Sequence, residues 1–125
     1  MSGTVVDIAE RRCYLADAKG PPIANERDAV DMLGESLGAG APLVVIPLAR
    51  LSPAFLDLKT RLAGEVLQKF VNYRRQVVIL GDVSRAVGQS DALRDFVRES
   101  NRGRWVWFLP DLAALEAKLT EIPPS

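Results

Sequence analysis

The chain has 125 residues and is 48% apolar, which is enough for one domain with its own core and too apolar for disorder. Its 16 basic and 16 acidic side chains cancel, so no net field draws it to nucleic acid or to an anionic membrane. It carries one cysteine, Cys13, and no histidine, which excludes an intrachain disulfide, a thiolate metal cluster and any Ser-His-Asp or Cys-His catalytic arrangement.

Residues 4–8 and 12–16 are short β-rich runs with a link between them short enough for an antiparallel hairpin. Lys19-Gly20-Pro21-Pro22 then breaks regular structure. Asn25 is placed to accept from first-turn amides, and Glu26 and Asp28 suit the positive end of a helix. Ala29, Val30, Leu33 and Leu37 continue that helix as an apolar stripe, and Gly38 to Gly40 end it. Leu43-Val44-Val45-Ile46-Pro47-Leu48 is an unbroken apolar run, as in a strand covered on both faces, with Pro47 limiting pairing near its end.

From Ser52-Pro53 or from Asp57 the pattern predicts the longest helix of the chain, with Leu58, Leu62, Ala63, Val66, Leu67, Phe70 and Val71 on one side. Residues 76–80 form the next buried strand, ended by Gly81-Asp82, and residues 84–89 read as a polar loop. Ser90 caps a helix with Leu93, Phe96 and Val97 inward, and Gly103 ends it. Residues 105–109 are a fifth strand. Asp111 caps a last helix through Leu112, Leu115 and Leu119, which Pro123-Pro124 stops.

The order β-β-α-β-α-β-α-β-α predicts a mixed α/β sheet with flanking helices in a single domain, 1–125. Strands that alternate with helices are expected to be parallel neighbours joined by right-handed crossovers, with the leading hairpin as an antiparallel edge. The N-terminus lacks a basic stretch followed by a long apolar one, and the longest apolar runs fall far short of the ~20 residues that span a bilayer. A cytoplasmic protein without membrane contact is the expectation.

Three segments carry a resemblance: residues 55–73 (FLDLKTRLAGEVLQKFVNY), Gly81-Asp82-Val83-Ser84, and residues 93–101 (LRDFVRESN). Together they resemble the bacterial DUF4180 family, a domain of unknown function, well over about residues 43–119 and loosely before them. The element order also resembles the anti-sigma-factor antagonist (STAS) fold. That resemblance implies a non-catalytic regulatory module that binds a protein partner. In those antagonists a phosphorylatable serine follows an aspartate at a helix start. Here Asp57 matches, Leu58 or Lys59 stands at the serine position, and Thr60 is the nearest residue able to take a phosphate.

Asp57, Lys59, Thr60 and Arg61 cluster at the predicted helix start, where amides and the helix dipole favour anions. With Asp82, Ser84 and Arg94 they are candidates to bind a small anionic ligand or nucleotide at the carboxyl edge of the sheet. The plainer reading makes Asp57 an N-cap, Gly81-Asp82 a turn, and Arg94, Asp95, Arg98 and Glu99 a salt-bridged solvent face. Trp105 and Trp107 fall on one strand face, either packed under a helix or exposed as a patch for homodimerisation. No cofactor loop and no metal-ligand spacing occurs. The function expected is therefore a non-catalytic binding module. The alternative is a small cofactor-independent isomerase, cyclase or lyase moving protons with Asp57, Asp82 and Lys59 or Tyr73.

Overall fold

The structure, a computed structural model, describes residues 3–121. Strands β1 (Gly3–Ile8) and β2 (Arg11–Ala16) pair antiparallel with Val6 opposite Cys13. Their turn is Ala9-Glu10, both at positive φ (49° and 68°), the turn geometry that matches the twist of paired strands. Neither residue is Gly or Asn, so the pairing of β1 and β2 offsets a local strain.

Helix α1 (Glu26–Gly38) is capped as its sequence predicts, with Asn25 Oδ1 accepting from Asp28 N at 3.0 Å. Strands β3 (Leu43–Pro47), β4 (Gln76–Leu80) and β5 (Val106–Leu109) coincide with the apolar runs. Helix α6 (Leu112–Glu121) starts where the Asp111 carboxylate accepts from Ala114 N at 2.9 Å. Pro123-Pro124 lies outside the described residues.

Two expectations are corrected. The single long helix is three pieces: α2 (Pro53–Leu56), a 3-10 turn (Leu58–Thr60) and α3 (Leu62–Asn72). Arg61 breaks it, with φ at 64°, and the 13-residue α1 is the longest helix instead. The apolar stripe runs through the break because Leu58 and Leu62 still face the core on either side of it. Residues 84–89, read as a loop, form α4 (Ser84–Gln89). None of its residues is buried, so no apolar stripe announces it. Helix α5 (Asp91–Arg102) follows, with Ser90 Oγ accepting from Leu93 N at 3.1 Å.

The sheet runs β1-β2-β3-β4-β5, parallel from β2 onward. Right-handed crossovers that always step the same way put their helices on one face. On that face Tyr14, Val44, Ile46, Val77, Ile79 and Phe108 pack against Ala29, Met32 and Leu33 of α1 and Val66, Leu67 and Phe70 of α3. The opposite face has a second, smaller core of Cys13, Leu43, Val45, Val78 and Trp107, closed by Leu115 and Leu119 of α6. Each fully buried side chain of this size contributes about 1.5–3 kcal/mol, so both layers are needed to hold the sheet. No helix among the described residues is long and apolar enough to cross a membrane.

Candidate functional site

The carboxyl edge of the sheet receives most of the residues singled out by sequence, but as separate capped turns. Asp57 Oδ1 accepts from Lys59 N at 3.2 Å and so closes the 3-10 turn. The Thr60 hydroxyl lies 2.7 Å from the Ala54 carbonyl and 2.8 Å from the Asp57 carbonyl, and accepts from Leu62 N at 3.2 Å. It thus occupies the first amide of α3, and Glu65 in the same turn complements the dipole. Lys59 and Arg61 point into solvent.

One strand along, Asp82 Oδ1 accepts from Ser84 N at 2.9 Å. The Ser84 hydroxyl and then its amide hold the exposed Asp82 carboxyl below the usual carboxylate range, so it stays ionised. A general acid would need the opposite shift, from burial in a pocket. Arg94 sits on the solvent face of α5, 3.5 Å from Asp91 and 3.9 Å from Asp95, within a row that includes Arg98–Asp95 at 2.9 Å and Arg102–Glu99 at 3.4 Å. Among the described residues no group of three His, Cys, Asp or Glu side chains is arranged to hold a metal ion.

Of the two readings of the tryptophans, Trp107 follows the packed one. Trp107 is 1% exposed, donates Nε1–H to the Gly103 carbonyl at 2.9 Å and lies under Lys118 Nζ at 4.7 Å. It belongs to the second core, so a patch exposing both rings does not exist. Trp105 alone is partly accessible.

Sequence reasoning missed Arg50. It ends the 3-10 turn Leu48–Arg50 beyond β3 and is 4% exposed. Its Nε donates to the Pro21 carbonyl at 2.6 Å and Nη1 to the Asp17 carbonyl at 2.8 Å. Gly20 lies flat on the guanidinium, where an added Cβ would stand 2.6 Å from Cζ. The arginine thereby pins the Gly20-Pro21-Pro22 loop to the sheet and floors a cavity of about 420 Å³ whose mouth carries Asp28, Asp31 and Glu35. The sequence signal was the loop itself: two prolines cannot donate, so the loop's carbonyls need a donor from elsewhere.

Of the two sheet edges, β1 is the less protected among the described residues. It is an edge strand, and no bond among the described residues reaches its outer side. At the other edge, Asn101 bonds both backbone groups of Phe108, at 2.7 and 3.2 Å, and so covers β5. β1 has no such cover, and Asp7 is its single charge. Val5 is 43% exposed beside an apolar groove of about 660 Å³ formed by Tyr14, Gly38 and Ala39. A second groove, of about 540 Å³, runs along the other face beside Thr4, Val6 and Leu15. Gly3 opens the strand because a Cβ there would stand 2.7 Å from the Leu15 carbonyl and closer still to the Tyr14 ring.

No curated protein and no solved structure matches the chain. A family model does match, over residues 8–119, which takes in the hairpin's second strand and every helix and strand after it up to all but the last two residues of α6. The chain belongs to the DUF4180 family, a domain of unknown function.

Proposed function

We propose that this protein is a non-catalytic, cytoplasmic recognition module of STAS-like build, and that it recognises protein through the β1 edge. The antiparallel hairpin followed by parallel strands and flanking helices supports the STAS likeness. The observation that carries the reading is an edge strand with no cover among the described residues, flanked by a mainly apolar groove on one face and a mixed polar and apolar groove on the other. Such an edge accepts another strand by main-chain hydrogen bonding, and the grooves take alternate side chains.

The partner best matched is a second copy of the chain. An antiparallel pair of β1 strands is self-complementary across a two-fold axis and joins the two sheets into one. Stable interfaces bury ~1,200–2,000 Å², more than one short strand pair offers, and the flanking grooves would supply the remainder. The test is the mass in solution of the protein and of Val5→Lys, which places a charge on the exposed edge. A dimer that becomes a folded monomer in the variant supports the reading. A wild-type monomer at all accessible concentrations, or a dimer indifferent to Val5→Lys, overturns it.

A further inference from the structure

The amino edge of the parallel strands gathers arginines that the neutral total charge conceals. Arg11 and Arg12 open β2, Arg74 and Arg75 precede β4, and Arg104 precedes β5. A cavity of about 440 Å³ is lined there by Arg11, Arg12, Arg74, Arg104 and Trp105, with Glu10 its single acid. Among the described residues the ion pairs lie on α5, and none joins Arg12, Arg74 or Arg104 to a carboxylate within 4 Å. Asp7 stands across the hairpin from Arg12 without closing an ion pair. Arg75, in the same turn as Arg74, has a buried Nε with no partner.

These guanidinium groups are not needed as helix caps. Phe70 and Val71, at the end of α3, give their carbonyls to the amides of Tyr73, Arg74 and Arg75. At the end of α5 the Gly103 amide takes the Ser100 carbonyl and Lys118 Nζ takes the Asn101 carbonyl at 3.0 Å. Three helices end at this edge, each carrying roughly half a negative charge. The cavity lining nonetheless carries four guanidinium groups, those of Arg11, Arg12, Arg74 and Arg104, against the single carboxylate of Glu10. The lining is thus locally rich in positive charge. Arg104 lies 5.3 Å over the Trp105 ring, and its carbonyl accepts from Gln76 Nε2 at 2.7 Å.

We infer that this cavity binds a small phosphate ester carrying at least two negative charges. Planar guanidinium forks match phosphate oxygens in pairs, and several converge on one concavity. The volume lies within the ~300–1,000 Å³ of small-ligand sites. Trp105 gives the non-phosphate part of the ligand an aromatic wall. Because total charge is zero, no long-range field contributes, and affinity must come from these contacts. The site is independent of the β1 edge and of dimerisation.

The experiment is calorimetric titration of the full chain with inorganic phosphate, pyrophosphate and a nucleoside diphosphate, alongside a short single-stranded oligonucleotide. The expected result is binding of pyrophosphate and the diphosphate, weakened about tenfold in each of Arg74→Gln and Arg104→Gln as a charge-assisted contact is lost. Arg85→Gln, on exposed α4, serves as control and leaves binding unchanged. Stronger binding by the diphosphate than by pyrophosphate places the organic part on Trp105, and equal binding assigns the site to phosphate alone. No binding by the wild type, affinity indifferent to both variants, or preference for the oligonucleotide with a steep salt dependence overturns the inference.

Discussion

Replacing Arg50 by Met keeps most of the buried stem and removes the guanidinium. Two hydrogen bonds disappear, and their consequences differ. The Asp17 carbonyl also accepts from Gly20 N at 3.1 Å, so it keeps a partner. The Pro21 carbonyl has the charged Arg50 Nε as its donor and would lose that bond. A bond from a charged donor contributes ~1.5–3 kcal/mol and a lost but compensated bond about 1, giving roughly 2–4 kcal/mol in all. For 125 residues the unfolding entropy makes each kcal/mol worth about 4 °C, so Arg50→Met should melt about 8–15 °C below wild type. Arg50→Lys, whose ammonium reaches one carbonyl at most, should fall between. Differential scanning calorimetry measures both. If Arg50→Met melts within about 2 °C of wild type, the arginine is not the pin that holds residues 17–23 to the sheet, and its burial needs another account.

Two further outcomes concern the smaller core. Burial pushes the Cys13 thiol from 9.0 up to about 11, so the folded state holds a proton that the unfolded chain releases first. Stability is therefore at its full value below pH 9 and declines between pH 9 and 11 by an amount on the order of 2–3 kcal/mol, which urea titrations across that window would register. A flat profile would mean that the thiol is solvated. Leu115→Ala should destabilise by ~2–5 kcal/mol through the cavity it leaves under α6. It should also speed labelling of Cys13 by a thiol reagent, because Leu115 is 0% exposed over the same cluster as Cys13. Destabilisation without faster labelling would show that α6 stays seated.

Much of the fold was legible because its strands are unbroken apolar runs. Residues 43–47 and 76–80 have few ways to be anything but central strands, and Asn25, Ser90 and Asp111 marked helix starts by their chemistry. What stayed hidden lacked a local signal. Arg61 adopts a left-handed conformation without being Gly or Asn, and nothing in its neighbours reports that. Arg50 looked like a loop residue because its acceptors lie some thirty positions away in the chain. Asp57 and Asp82 do sit at the carboxyl edge, but this sheet adds strands in one direction only, so it has no reversal point where a crevice would open. The arginines were visible all along as Arg11-Arg12, Arg74-Arg75 and Arg104, each just before a strand or at its start. A parallel sheet brings such positions to one edge, and the total charge says nothing of it.

Strand order that repeats chain order has a consequence for biosynthesis. Each strand emerging from the ribosome finds its neighbour already made, and α1 and α3 cover one face as soon as β4 is in place. The other face waits. Cys13, Leu43, Val45 and Val78 stay open to water until α6 has been synthesised, about forty residues after β4 ends. At ~5–20 residues per second that is roughly 2–8 s of exposed apolar sheet on every nascent chain, long enough for a chaperone, or a neighbouring chain, to arrive before the last helix does.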